Sequence, residues 1–176
     1  MDELNKKLRE KAILYGLCEQ WTNDWSENRN KQELIEMWLR GIDFAILHNY
    51  PTNEFIKESF SPELLKGNNI FVDCPVGGVN LNHKAVICGD CKGALIFDGY
   101  ASCDIYVRHT SKIHIDASKF SKIFVNLYDD AEVTIKQKDV AKVYVYLHGS
   151  NCHVKYEGEV LVRESREIGR ASCRER

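Results

Sequence analysis

Cys88 and Cys91 are the residues of this chain whose types and spacing most resemble a metal-binding or redox motif. They lie in Cys88-Gly-Asp-Cys91, and this spacing occurs in half of a zinc knuckle and in redox pairs. The sequence contains no second pair at a matching spacing. A thioredoxin-like pair opens a helix, whereas strands are predicted on both sides here. We therefore expect no metal and no other cofactor, and Cys88 and Cys91 are the candidate ligands should a metal bind.

The other reactive side chains are scattered. No secretion signal accompanies the cysteines before residue 167, so we expect reduced thiols that pack as small apolar residues: Cys18, Cys74, Cys88, Cys91, Cys103 and Cys152. Five histidines lack helical i, i+4 pairing and an evident acidic partner, and we interpret them as single surface residues: His83, His109, His114, His148 and His153. No catalytic carboxylate pair, phosphate loop or serine elbow is present, so we predict that the protein is not an enzyme.

A ten-residue repeat is the element that must position these side chains. Its four aligned copies are Ser111-Lys-Ile-His-Ile115, Ser121-Lys-Ile-Phe-Val125, Ala131-Glu-Val-Thr-Ile135 and Ala141-Lys-Val-Tyr-Val145. Six alternating residues and a four-residue corner give one strand per repeat, and an even period keeps the same side chains inward. Such repeats are typical of solenoids, because no copy buries its own apolar face. We favour this fold over an antiparallel meander.

The predicted fold class is mainly β with an N-terminal helical part. We expect a parallel β-solenoid of ten-residue repeats, with about two strands per coil, capped or flanked by two to four helices. The domains are an N-terminal helical segment, a solenoid and an unstructured artefactual tail, at residues 1–67, 68–165 and 166–176. The tail is set apart because residues 167–176 resemble the translation of a sequencing adapter.

The helices are predicted from apolar spacing and capping signals. Apolar residues at spacings of three and four, including Leu14 and Trp21, predict one helix over residues 3–25. Asn30 and Glu33 have the form of a capping box that opens a second helix, which extends to about residue 48. Thr52 is expected to cap a third helix, and Ser61-Pro62 opens a fourth.

The solenoid is expected to begin with less regular strands. Residues 70–72, 79–81 and 85–87 are predicted strands, and Pro75-Val-Gly-Gly78 is predicted as a turn or bulge between the first two. After Leu147 the register slips by one residue, which makes Cys152, Val154 and Tyr156 the aligned set.

Twenty residues per coil divide the outward side chains between two sides. One side is the candidate binding surface, and its residues are Tyr106, Lys122, Phe124, Lys142, Tyr144 and Tyr146. On the other side Lys112 lies over Glu132 and Asp116 lies over Lys136, which stabilises neighbouring strands modestly. That second side is interpreted as a solvated surface.

Aromatic residues in a row are unusual on the surface of a monomer. Three occupants of the aromatic side are open: the N-terminal helices, another subunit or partner protein, and an extended ligand such as a glycan. The function we predict is structural or interaction-based, with the aromatic side facing a protein partner or a second copy. The alternative is a carbohydrate-binding module that uses the same aromatic residues.

Charge and hydropathy limit which partners and which cellular compartments are expected. The formal net charge of -2 argues against binding to nucleic acid or to anionic membranes by charge alone. No apolar run approaches the length of a membrane span, and the first residues are polar. We expect no nucleic acid or membrane partner, and a cytoplasmic protein or a virion component.

Three segments resemble an uncharacterised group of β-solenoid repeat proteins from gut Bacteroidales and their phages or mobile elements. They are Trp38-Leu-Arg-Gly-Ile-Asp-Phe-Ala45, Phe55-Ile-Lys-Glu-Ser-Phe60 and the ten-residue repeats. The resemblance covers roughly residues 21–162 and implies the solenoid fold and a phage or mobile-element origin. These motifs are structural and imply no activity.

Overall fold

The computed structural model describes residues 3–26 and 28–164. These residues form two compact units, the first ending at Leu64 and the second beginning at Leu65. The helices in chain order are α1 Glu3–Leu14, α2 Glu19–Asp24, α3 Lys31–Arg40, α4 Ile42–Leu47, α5 Asn53–Ser59 and α6 Pro62–Gly67. The strands are β1 Ile70–Val72, β2 Pro75–Val79, β3 His83–Cys88, β4 Lys92–Phe97, β5 Ser102–Val107, β6 Lys112–Ala117, β7 Lys122–Leu127, β8 Glu132–Gln137, β9 Lys142–Leu147, β10 His153–Glu157 and β11 Val160–Glu164. The predicted artefactual tail lies outside the described residues.

The first predicted helix is two helices, so the prediction of one helix over residues 3–25 was wrong. Gly16, two residues after the end of α1, adopts φ +84°, a conformation that glycine reaches without steric cost. The Gly16 N–H donates to the Ile13 carbonyl at 2.9 Å, and the Leu17 N–H donates to the Ala12 carbonyl at 3.0 Å. This is a Schellman cap. Because the chain turns there, Leu14 is 84 % exposed and does not share a buried stripe with the residues of α2.

The capping signals of the remaining helices are confirmed. Asn30 and Glu33 form the predicted capping box at 3.0 and 2.7 Å. Thr52 caps α5 at 3.4 Å, and Ser61 caps α6 at 3.3 Å. Gly41 separates α3 from α4, so the second predicted helix is also divided and the described residues contain six helices instead of four. No described helix has the length and apolar character that crossing a membrane needs.

The second unit is a parallel β-solenoid with two strands per coil, as predicted. Odd-numbered strands form a six-stranded first sheet in the order β1-β3-β5-β7-β9-β11. Even-numbered strands form a five-stranded second sheet in the order β10-β8-β6-β4-β2. All neighbouring strands pair in parallel, and from β4 to β9 each residue pairs with the residue twenty positions along.

The space between the two sheets is filled by the β-branched positions of the repeat. Ile115, Val125 and Ile135 have no exposed surface, and Ile113 and Val133 are 2 % exposed. Small residues occupy the tight corners and are buried: Ser111, Ser121, Ala131 and Ala141. Each methylene removed from water here contributes about 0.8 kcal/mol. The repeat therefore supplies one continuous core along the solenoid axis.

Every tenth residue turns the chain through a left-handed conformation. Positive φ values occur at Gly89, Gly99, His109, Lys119, Asp129 and Asp139. At two of these corners the exposed N–H group donates to an aspartate of the next coil: His109 donates its N–H to Asp129 at 3.0 Å, and Lys119 donates its N–H to Asp139 at 3.0 Å. We call these bonds the corner ladder. The ladder joins these corners to the following coil.

The first and last coils depart from the regular repeat. β2 occupies Pro75–Val79, so the predicted turn at 75–78 and the predicted strand at 79–81 were wrong. Val76 is buried, and β2 pairs with β4 at the edge of the second sheet, where a proline at the strand start is tolerated. The predicted slip after Leu147 is confirmed, because Val154 pairs with Val133 and Tyr156 pairs with Ile135.

Substitution of Gly93 tests how closely β2 approaches β4 in the first coil. It has φ +155°, and a Cβ there would lie 1.9 Å from the Val76 carbonyl oxygen. We expect Gly93→Ala to lower the free energy of unfolding by at least about 3 kcal/mol, since the backbone must move. Gly77→Ala is the matched control, because its Cβ would meet nothing within 4 Å. Urea unfolding measures both, and equal stability of the two variants would contradict the tight approach of β2 to β4.

Candidate functional site

The residues proposed for binding lie on the outer surface of the first sheet, where β5, β7 and β9 pair. We call this surface the aromatic face. Its residues are Asp104, Tyr106, Lys122, Phe124, Asn126, Lys142, Tyr144 and Tyr146. The register brings together all six binding candidates named from the sequence. Phe124 and Tyr144 are direct neighbours, and Asn126 lies between Tyr106 and Tyr146.

The centre of the aromatic face is a stacked pair of rings. Phe124 and Tyr144 have centroids 5.1 Å apart and planes inclined by 14°. The Lys122 ammonium lies over the Phe124 ring, 5.1 Å from its centroid. The ring of Phe124 therefore has partners within its own sheet, and both rings are only partly exposed. Such a pair stabilises neighbouring coils by about 0.5–1.5 kcal/mol beyond area burial.

Two flanking positions extend this arrangement. Lys84 lies 5.9 Å from the centroid of the Tyr106 ring. Asn126 forms a 3.1 Å hydrogen bond with His148, and His148 stacks on Tyr128 with centroids 4.4 Å apart. The sequence interpretation left His148 and Tyr128 outside the face because both lie in a corner, after the strand has ended.

A second row of exposed apolar side chains lies at the opposite corner of the coil. Tyr100 is 84 % exposed, and Phe120 and Val140 are each 59 % exposed. The Tyr100 and Phe120 rings stack at 5.1 Å with an inclination of 8°. Their twenty-residue spacing was the signal that sequence reasoning missed. This row lies two residues before Lys122 and Lys142, so apolar corner side chains border the aromatic face.

The second sheet carries the predicted charge pairs, with one correction. Lys112 and Glu132 form an ion pair at 2.8 Å, and this hydrogen bond lowers the pKa of Glu132. Asp116 and Lys136 are in register as predicted. However, Asp116 binds His114 at 3.2 Å. The expectation that the histidines lack acidic partners was therefore wrong for His114, because residues i and i+2 of a strand share a face.

Cys88 and Cys91 are packed inside the solenoid. The Cys91 thiol donates to the Cys88 carbonyl at 3.2 Å, and both residues are buried. Burial raises the pKa of the Cys88 thiol to about 12 and raises the pKa of Cys91. Buried neutral thiols are poor nucleophiles and metal ligands. Within residues 3–26 and 28–164, no cluster of three or more histidine, cysteine, aspartate or glutamate side chains could hold a metal.

The remaining cysteines differ between the two units. The free thiols of the solenoid are Cys74, Cys88, Cys91, Cys103 and Cys152. Cys18 is disulfide-bonded, so the expectation of a reduced thiol was wrong for this residue.

Comparisons with models of protein families, with curated proteins and with solved structures find no match to this chain.

The stacking between coils predicts a coupling energy. We expect the variants Phe124→Leu and Tyr144→Leu to be non-additive by about 0.5–1.5 kcal/mol in a double-mutant cycle, because either one removes the shared ring contact. The control is a cycle with Tyr106→Leu and Tyr146→Leu, which lie two strands apart on the same face. Urea unfolding gives the four stabilities of each cycle. Additivity at both pairs would refute the stack.

The buried thiols predict a loss of stability at alkaline pH. An unfolded cysteine has a pKa near 9.0, whereas burial raises the pKa of Cys88 and Cys103 to about 12. Below pH 9 the thiols stay protonated in both the folded and the unfolded protein, so their contribution to the free energy of unfolding is fully present. Between pH 9 and about 12 only the unfolded chain releases it, so the free energy of unfolding falls with pH by about 1.4 kcal/mol per unit for each thiol.

Unfolding by urea under reducing conditions, from about pH 8 to about pH 11, measures this slope. The matched control is Cys103→Ala, which removes one of the buried thiols with a raised pKa and should make the slope shallower. A slope that is the same in both proteins would show that Cys103 ionises in the folded state.

Proposed function

We propose that this protein is a non-enzymatic structural or interaction protein whose aromatic face binds a protein, either a partner or a second copy. The observation that carries the proposal is the stack of Phe124 on Tyr144, held in register by parallel strands. A parallel sheet fixes these rings with little loss of side-chain entropy on binding. Aromatic residues are enriched at the centres of protein interfaces for this reason.

The arrangement of rings favours a protein over a glycan. Sugar rings stack on open aromatic faces. Here Phe124 and Tyr144 cover each other, the Lys122 ammonium lies over Phe124, and the Lys84 ammonium lies over Tyr106. The covered rings leave less open ring surface for a sugar, and the lysine side chains beside them give the face the mixed apolar and polar character of a protein interface. The carbohydrate-binding module is the alternative, and it rests on the same residues.

The proposed setting follows from the sequence. The resemblance to repeat proteins of Bacteroidales phages and mobile elements supports a phage-associated origin. We place the protein in the cytoplasm or in a virion as part of the same proposal. A rigid solenoid in either location would act by presenting a surface, and no reaction is part of the proposal.

The test combines disruption of the face with a matched control. Size-exclusion chromatography with light scattering should show a self-associated species, and Tyr144→Lys with Tyr146→Lys should weaken association at least about tenfold by adding unpaired charge to the interface. Thr134→Lys is the control, because Thr134 is exposed at a mid-strand position of the second sheet. If the wild-type protein binds a different protein, the same variants are compared for that binding.

A strictly monomeric protein that keeps every binding activity in the double variant would refute the proposal. A glycan array tests the carbohydrate-binding alternative. Specific hits that disappear in the double variant would support the carbohydrate-binding module instead of the protein-binding proposal.

A further inference from the structure

A pocket on the outer surface of the second sheet lies apart from the aromatic face. Its volume is about 340 Å³, near the lower end of the range of small-molecule sites. The lining residues are His114, Asp116, Ala117, Ser118, Lys136 and Lys138. They come from β6, from β8 and from the corners that follow these strands. We call this site the His114 pocket.

One wall of the pocket is a hydrogen-bonded pair of side chains. The His114 Nε2 and Asp116 Oδ1 atoms are 3.2 Å apart, and both side chains are partly exposed. The Ser118 hydroxyl donates to the Phe97 carbonyl at 3.4 Å, which fixes its orientation. An ionised carboxylate only accepts hydrogen bonds, so the His114 Nε2–H group donates to Asp116. The remaining lone pairs of Asp116 and the Nδ1 atom of an uncharged imidazole can accept hydrogen bonds from the hydroxyl groups of a ligand.

The other wall carries the ammonium groups of two lysines. Within the described part of the chain, the ammonium groups of Lys136 and Lys138 form no ion pair and donate no side-chain hydrogen bond. Other lysines of these coils are paired: Lys112 binds Glu132 at 2.8 Å, and Lys119 binds Asp98 at 2.9 Å.

The acidic groups near the two lysines leave the pocket with a positive balance. Asp116 pairs in register with Lys136 on one side, and Glu157 pairs in register with Lys136 on the other. Glu157 does not line the pocket, and the Asp116 carboxylate is bound to His114. Two ammonium groups against one carboxylate give the lysine and aspartate side chains of the lining a net charge of about +1.

We propose that the His114 pocket binds a small phosphate monoester of a sugar or other polyol. The phosphate oxygens accept hydrogen bonds from Lys136 and Lys138, since an anionic acceptor strengthens these bonds. His114 and Asp116 bind the hydroxyl groups of the ligand. This site lies on the opposite sheet from the aromatic face and does not rest on the function proposed above.

The test follows the imidazole signals of His114 by NMR in histidine-labelled protein. Glucose 6-phosphate, inorganic phosphate and glucose are titrated separately, with sodium chloride at equal ionic strength as the salt control. We expect a saturable shift with glucose 6-phosphate and weaker binding of the two fragments. The paired variant Lys136→Gln with Lys138→Gln should weaken glucose 6-phosphate binding about tenfold, since it removes two exposed charge contacts.

Lys155→Gln is the matched control, because Lys155 lies on the same sheet in β10 and does not line the pocket. It should leave the affinity unchanged. A shift that sodium chloride reproduces, or equal weakening by Lys155→Gln and by the paired variant, would overturn the site. Equal affinities for inorganic phosphate and glucose 6-phosphate would overturn the role of His114 and Asp116 in binding hydroxyl groups.

Discussion

The hydrogen bonds between successive coils are the constraint on which the rest of the solenoid depends. From β4 to β9 they join residues twenty positions apart, so each side chain lies next to its counterpart in the following coil. In such an arrangement a residue is compatible with the fold only if it tolerates that neighbour. At inward positions, β-branched residues tolerate the same kind of neighbour in the next coil. At outward positions, this tolerance depends on other kinds of contact between the neighbouring side chains.

The outward side chains of the two sheets are compatible with their neighbours in the next coil for different reasons. On the second sheet Lys112 is followed by Glu132, so unlike charges attract. On the first sheet Phe124 is followed by Tyr144, so rings stack, but Lys122 is followed by Lys142 and like charges adjoin. The contact of Lys122 with the Phe124 ring offsets part of this repulsion. Rings and lysines are thus mutually dependent on the aromatic face, and the side chains proposed for binding also contribute to stability.

The sequence predicted what depends on spacing alone. The ten-residue period was sufficient for the parallel solenoid, for the inward residues and for the assignment of the six binding candidates to one sheet. It was insufficient where one residue changes the local geometry. Gly16 ends α1 through its left-handed conformation, and the apolar period continues past it without a visible break. Likewise, Pro75-Val-Gly-Gly78 has the composition of a turn, yet pairing with β4 makes it a strand.

Candidate sites were harder to predict than strands. The pairing of His114 with Asp116 was not predicted because the ten-residue period specifies neighbours between coils, whereas this pair lies along one strand. Tyr100, Phe120 and Val140 were missed because corner residues do not follow strand alternation, and their outward direction depends on the left-handed residue before each of them. Their twenty-residue spacing marks them as one row, and the structure adds that their side chains are exposed beside the aromatic face.

The corners of the solenoid are joined by hydrogen bonds that run in both directions. The N–H of His109 depends on Asp129, and the N–H of Lys119 depends on Asp139, so an earlier coil receives acceptors from a later one. The backbone bonds run the opposite way, because the N–H groups of Thr110 and Phe120 donate to the carbonyls of Gly89 and Gly99 in the preceding coil. Loss of a coil on either side therefore leaves hydrogen-bonding groups without partners, and the stack should behave as a one-dimensional array in which each coil is coupled to both of its neighbours.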